Sequence, residues 1–179
     1  MANRIAFTSL APALEPFNTT GLTGLYLGRG VQKSVVWQIT SADLKALPGT
    51  KIQLVPSPTS TPPAVPGVSG SNFIILPGRA YFQYQFVTTA YTLGNADNAF
   101  QIEYTGKAVS LVTQAATGLL TLTSSAGVAP AQVNAGILTL ANSSNLGLEL
   151  TLVGTTPGLT LGDGLLYIGL DYMICPVFP

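Results

Sequence analysis

Alternation of hydrophobic and polar residues is the dominant pattern along this chain. The run AYFQYQFV places Phe82, Tyr84 and Phe86 on one face and Gln83 and Gln85 on the other. The same period of two recurs in KIQLV, FQIEY, LGLELTLV and LLYIGLDYMI. Strands with one buried face show this period, because successive side chains point to opposite sides of a sheet. The pattern therefore predicts an all-β chain.

Further strands are predicted at VVWQI, FIIL, LLTLT and GILTLA, with a turn at GNAD (94–97). About eight to ten short strands, with turns at intervals of about 8–12 residues, are typical of a β-sandwich, and we expect a jelly-roll-like one. Periodicity alone leaves immunoglobulin-like and barrel topologies open. The Gly162-Asp163-Gly164 stretch between alternating runs is a signal for a β-hairpin.

One segment, ITSADLKALPGT, departs from the β pattern. Thr40 is a suitable helix N-cap, and Asp43 three residues later approximates a capping box. The proline and glycine that follow end the helix after about two turns. We therefore expect one short helical turn between two strands, with Leu44 and Leu47 covering one end of the core.

Two segments show neither the period of two typical of strands nor the period of 3.6 typical of helices. Residues 1–30 are interpreted as an extended N-terminal arm, and residues 31–179 as a single β-sandwich domain with a Pro-rich loop at 56–70. The arm carries more apolar side chains than a solvated tail would, so it is expected to pack on a neighbouring subunit or back on its own domain. Those side chains are Phe7, Leu10, Leu14, Phe17 and Leu22.

Composition narrows the possible partners. The chain has 7 basic and 7 acidic residues, a net charge of zero, so nothing indicates nucleic acid or an anionic membrane surface as a partner. No apolar run approaches the roughly 18 residues of a spanning helix, and the first residues do not resemble a signal peptide. The chain is therefore expected to be made and kept in a cytoplasm.

Charged residues make up only 8% of the sequence, whereas a typical soluble domain has about 25%. We interpret this deficit as a sign that other subunits or a larger assembly cover much of the outer surface. A weakly charged surface rich in serine and threonine is the alternative.

Residue types give little support to catalysis. The sequence has no histidine, which removes imidazole acid/base chemistry and nearly all common zinc sites. Cys175 lacks an activating partner and is expected to be a small buried residue. Phosphate-binding glycine motifs are missing as well. We therefore expect no enzymatic activity, no catalytic residue, no cofactor and no metal.

Only chemistry based on paired carboxylates, as in glycosidases, is left to consider. Asp43 is better explained as a cap partner, and Asp97 and Asp163 as turn residues. A calcium ion at Asp163 would need a series of further ligands that the sequence does not provide. Glu103, Glu149 and Asp171 are predicted on the polar side of strands, facing solvent or a partner, and Glu15 lies in the arm.

The aromatic residues raise the possibility of a carbohydrate-binding surface, because Trp37 and the tyrosines could stack on a sugar ring. Aromatic residues that alternate along strands are more often part of a core.

Four short motifs follow one another along the chain in an informative order. They are a helical turn of the S-A-x-L-x-x-L kind, a strand that ends in L-V-P-x-P, a T-A-Y-T segment and a final strand that begins with G-D-G. The matching residues are Ser41, Ala42, Leu44 and Leu47; Leu54, Val55, Pro56 and Pro58; Thr89, Ala90, Tyr91 and Thr92; and Gly162, Asp163, Gly164 and Tyr172.

This order resembles small β-rich proteins of tailed bacteriophages that act as capsid decoration or cement proteins. The resemblance covers about residues 35 to 173. It implies a structural virion protein that binds the outer surface of the major capsid protein as a homotrimer. A tail, baseplate or head-fibre component, and a carbohydrate-binding adsorption module, are the alternatives. Ser57 stands where the motif has alanine, and the arm and the Pro-rich loop are particular to this chain.

Overall fold

The computed structural model describes residues 3–5, 31–47, 49–57, 72–124, 127–133 and 139–177. Within these ranges the chain forms eleven strands and two short helices. In chain order they are β1 (Asn3–Ile5), β2 (Val31–Ile39), α1 (Ser41–Ala46), β3 (Ile52–Val55), β4 (Asn72–Gln85), β5 (Tyr91–Leu93), β6 (Ala99–Tyr104), β7 (Ser110–Ala115), β8 (Gly127–Val133), α2 (Leu140–Ser143), β9 (Leu148–Val153), β10 (Leu159–Leu161) and β11 (Leu165–Val177).

Nine of these strands form one antiparallel ladder in the order β1-β2-β11-β4-β8-β7-β6-β9-β3, and β5 pairs with β10 separately. Strand β8 pairs with β4 through its first residues and with β7 through its last ones. It therefore divides the ladder into two halves. We call β1-β2-β11-β4-β8 sheet 1 and β8-β7-β6-β9-β3 sheet 2.

The core lies between the inward faces of the two sheets. Phe82 of sheet 1 stacks on Phe100 of sheet 2 with ring centroids 5.8 Å apart. The Tyr104 hydroxyl, also in sheet 2, donates to the Ile75 carbonyl in sheet 1 at 2.7 Å. The alternating residues of β6, β9 and β11 point inward and are buried, as their period predicts. The prediction of an all-β sandwich is confirmed.

The predicted helical turn is also confirmed. The Thr40 hydroxyl accepts from the Asp43 backbone N–H at 3.3 Å and donates to the Asp43 carboxylate at 2.8 Å. A free N–H of the first turn is thereby satisfied, which is the function of an N-cap. Leu44 and Leu47 are fully buried at one end of the core. Pro48 lies outside the described residues.

The predicted Asp-Gly hairpin is wrong. The residues around Asp163 connect β10 to β11, but β10 pairs with β5, whereas β11 lies between β2 and β4. A hairpin signal assumes that the flanking strands pair with each other. Here both flanking strands pair with strands that are distant in the sequence, so this turn connects strands of two different sheets.

The predicted strand LLTLT, residues 119–123, is not a strand. Its first residues belong to a turn over residues 117–121, in which Gly118 has a φ of 78°. Leu119 and Leu120 are buried all the same, because the turn packs them against the core. The end of GILTLA lies in α2, and residues 136–138 are outside the described part of the chain.

Strand β4 was expected as two shorter strands. The structure joins them through a bulge, where Gly78 and Arg79 lie opposite Asp171 of β11. The pattern gave no signal for β7 or β8. Pro130 lies in the part of β8 that pairs only with β4, so its missing N–H is tolerated.

Of the predicted arm, Asn3–Ile5 pairs with β2 of its own chain, opposite Val36–Gln38. Residues 6–30, and residues 58–71 of the predicted Pro-rich loop, lie outside the described residues. No helix in the described ranges is long and apolar enough to cross a membrane.

Leu44→Ala is expected to lower the free energy of unfolding by about 2–5 kcal/mol, because it leaves a cavity under α1. Leu44→Asp should prevent folding, since it places an unpaired charge in the core. Urea titration followed by the fluorescence of Trp37, the single tryptophan, measures this effect. Lys45→Ala, on the exposed side of α1, is the matched control and should change little. A folded Leu44→Asp variant would show that α1 does not cover the core.

Candidate functional site

Three segments that are far apart in the sequence meet at one end of the sandwich. The Asp163 carboxylate accepts from the backbone N–H groups of Thr88 at 3.0 Å and Thr89 at 2.9 Å, and from the Thr88 hydroxyl. The Ser41 hydroxyl, at the start of α1, donates to the Gly162 carbonyl at 3.2 Å. These contacts tie the turn before β11 to the turn after β4 and to the helix.

Tyr91 completes this contact region. Its hydroxyl donates to the Gly164 carbonyl at 2.7 Å, and its ring lies so close to Gly162 that a Cβ there would be 2.4 Å from the ring. Gly162 also has a φ of 60°, so glycine is required for two reasons. A Cβ at Gly164 would be 2.4 Å from the ring of Tyr84.

We call this region the clasp. Its members are Ser41, Thr88, Thr89, Tyr91, Gly162, Asp163 and Gly164.

The charges of the clasp follow from these contacts. The three hydrogen bonds to the carboxylate, the Thr88 hydroxyl first, lower the pKa of Asp163 to about 2. Burial raises the pKa of Tyr84 to about 12, and it also raises the pKa of Tyr91. The carboxylate therefore stays ionised and the phenols stay neutral over the physiological range, which suits an architectural role.

A similar contact lies beside the clasp. Asp97 accepts from the backbone N–H of Thr155 at 2.9 Å and from its hydroxyl at 2.5 Å, and these bonds lower the pKa of Asp97. Both aspartates are thus turn residues, as predicted. Asp43 acts in the helix cap, also as predicted.

Two glutamates were predicted to face solvent or a partner, and this is wrong. Glu103 and Glu149 lie directly opposite each other on β6 and β9, on the outward side, yet only 4% and 8% of their surfaces are exposed. Like charges in this position repel each other. The Lys51 ammonium donates to Glu149 at 2.8 Å and to Glu103, and the Gly106 N–H donates to Glu149 at 3.1 Å.

Lys51 therefore holds two carboxylates together, and they in turn raise its pKa, first through the hydrogen bond to Glu103 and then through the one to Glu149. Sequence reasoning missed this cluster, since Lys51 and Glu103 are 52 residues apart. The alternation within β6 and β9 predicted that Glu103 and Glu149 lie on the outward sides of their strands. It did not predict the register that places them opposite each other. Among the described residues, no group of three or more metal-ligating side chains is found.

The remaining candidates fall in different places. Asp171, on the outward side of β11, accepts from the Ser34 hydroxyl. Cys175 is half-buried rather than buried as predicted, because it also points outward, and desolvation raises its pKa. Trp37 is an inward residue that is 3% exposed, so it belongs to the core and cannot stack on a sugar. Glu15 lies outside the described residues.

The outward faces of the two sheets differ in character. Sheet 2 carries the Lys51 cluster with glutamines and threonines. Sheet 1 presents the outward side chains of β2, β4 and β11, which we call the neutral face. Its apolar or aromatic members include Val36, Ile74, Leu76, Tyr81, Tyr167 and Met173, and its uncharged polar members include Ser34, Gln38, Gln83 and Gln85.

Charge is scarce on the neutral face. Asp171 is the one charged residue among the outward side chains described on these three strands, and Arg79 lies beside it in the bulge. Tyr167 links two glutamines, since its hydroxyl accepts from Gln38 at 3.2 Å and donates to Gln85 at 3.0 Å. The outward side of an antiparallel sheet is normally polar, so this face is unusual.

No protein-family model and no curated protein matches the sequence. Among solved structures, the cyanophage Pam1 capsid asymmetric unit is similar, with 14% identity and a TM-score of 0.45. The match covers 81% of this chain and 86% of that one.

Asp163→Asn is expected to reduce stability at neutral pH, because the amide accepts less strongly from Thr88 and Thr89. The pKa of Asp163 is lowered by folding, so its contribution is present above the ordinary value of 3.8 and disappears as the pH falls toward about 2. Urea midpoints measured across this range should converge for wild type and variant. Thr88→Val, which removes only the hydroxyl donor, should have a smaller effect. A constant difference down to pH 2 would contradict this assignment.

Lys51→Met should lower the free energy of unfolding by about 1–2 kcal/mol, because it leaves two buried carboxylates facing each other without a counter-charge. The effect is moderate, since 43% of the Lys51 side chain is exposed and water screens the charges. The double variant Lys51→Met/Glu103→Gln should recover part of the loss, and Lys51→Arg is the control.

The pKa of Lys51 is raised by folding, so its contribution is complete below 10.5 and is lost as the pH rises further. The difference between wild type and Lys51→Met should therefore narrow in alkaline solution. If the double variant were less stable than Lys51→Met, repulsion between the glutamates would not be the cause.

Proposed function

We propose that this chain is a structural virion protein, a decoration or cement protein that binds the outer surface of a bacteriophage capsid and stabilises it. In this proposal it acts without enzymatic activity, cofactor or metal. It is made in the host cytoplasm, and its partners are the major capsid protein and further copies of itself, expected as a trimer.

The observation that carries the proposal is the clasp. Three of the four motifs that resemble decoration proteins are separated by up to about 120 residues, yet their members contact each other. Ser41 reaches Gly162, Asp163 reaches Thr89, and Tyr91 reaches Gly164. The resemblance therefore concerns one connected unit in three dimensions, and this supports a shared architecture more strongly than the order of the motifs alone.

The strand order also supports the proposal. We infer that the sandwich is a jelly roll, because β2-β11-β4-β8 and β3-β9-β6-β7 form the two layers and the chain crosses between them at nearly every connection. Jelly rolls occur in viral capsid proteins and in lectins. Trp37, one of the aromatic residues on which the carbohydrate-binding alternative rested, is buried in the core.

The mechanism would be mechanical rather than chemical. A protein bound across neighbouring capsid subunits adds its binding free energy to the closed shell, and an open shell lacks that contribution. Uncharged contacts repeated by symmetry are suited to this task, because they need no partner of opposite charge and salt affects them little.

Binding of the purified chain to capsids that lack it is expected to persist from about 50 mM to about 500 mM salt, since screening weakens mainly exposed charge pairs. Co-sedimentation measures the bound fraction, and the heat stability of the capsids should rise with it. Release below physiological salt would contradict the mainly uncharged interface. No binding at any salt concentration, with signal on a glycan array, would favour the adsorption-module alternative.

A further inference from the structure

We propose that the neutral face of sheet 1 is the surface through which copies of this chain associate, with the same face of a second copy as its occupant. This inference deepens the proposed function, on which it rests, by naming a surface that joins copies in pairs. A face that meets its own copy makes a two-fold contact, so it links two chains or two trimers and does not itself close a trimer.

The chemistry of the face favours a copy of itself as partner. A surface with one dominant sign of charge would repel its own copy, whereas here Asp171 is the one charged residue among the described outward side chains, and its carboxylate accepts from Ser34. A glutamine amide both donates and accepts, so Gln83 can pair with its own kind across a symmetric contact.

The packing on the face has the flatness that such a contact requires. Gly169 lies beneath Tyr81, so close that a Cβ on Gly169 would be 1.9 Å from the tyrosine ring. The ring therefore covers the glycine backbone on the outside of the sheet. Tyr81 and Met173 are still 38% and 37% exposed, which is unusual for large apolar side chains in the middle of a sheet.

The size of the face is sufficient. β2, β4 and β11 contain 9, 14 and 13 residues. At about 3.3 Å per residue and about 4.8 Å between strands, they cover roughly 550 Å². Two such faces would bury about 1,100 Å², which passes the approximate minimum of 1,000 Å² for a specific interface. Sheet 2 offers no comparable surface in its described part, because the Lys51 cluster lies there.

The test is the mass of the chain in solution, by light scattering behind a sizing column. Wild type should have an even multiple of the 18.5 kDa chain mass. Met173→Lys and Gln83→Lys should each halve the mass, because each places a charge without an opposite partner in an uncharged contact. Val87→Lys, at an apolar position that is 50% exposed but lies outside the face, is the matched control and should stay associated.

Trp37 fluorescence equal to wild type, with a cooperative urea transition, would show that the two face variants are folded. A monomeric wild type, unchanged association in both face variants, or dissociation of Val87→Lys would each overturn the inference. A monomeric wild type that still binds capsids would contradict this inference alone. Association through the face without capsid binding would contradict the proposed function alone.

Discussion

The position of β11 between β2 and β4 is the constraint on which the rest of the structure depends. The C-terminal strand pairs along nearly its whole length with both neighbours, from Leu165 to Val177 on the β4 side. Sheet 1 is therefore incomplete until β11 has paired with β2 and β4. Contacts of this sequence separation cost loop-closure entropy before they contribute stability. The clasp lies where β11 begins, so it fixes the starting point of this strand relative to β4 and α1.

This constraint also explains how far the sequence could predict the fold. Inward residues of β6, β9 and β11 were predictable, because period-two alternation is a local property. The partner of each strand was not, since pairing depends on residues far away. Asp163 illustrates the difference. Its sequence context indicates a hairpin turn, but its carboxylate bonds to the backbone of Thr88 and Thr89, and the turn therefore joins two sheets.

The same reasoning applies to the charged residues. The helix cap at Thr40 was predictable because both partners lie within four residues. The burial of Glu103 and Glu149 was not predictable, because it requires a register between β6 and β9 and a lysine from a third segment. Chemistry between neighbours in the sequence can be derived from sequence, whereas a cluster built by three distant segments appears only in the structure.

Low overall charge turns out to be less informative than its distribution. Most of the described acidic residues contact a partner that is close in space. Asp97 and Asp163 accept hydrogen bonds in turns, and Glu103 and Glu149 share Lys51 on sheet 2. The outward side of sheet 1 carries little charge by comparison, because Asp171 is the one charged outward side chain described on β2, β4 and β11, although Lys33 and Arg79 also lie on these strands. A uniform deficit would have lowered solubility everywhere. A deficit confined to one flat face instead makes that face the part of the molecule with most to gain from being covered.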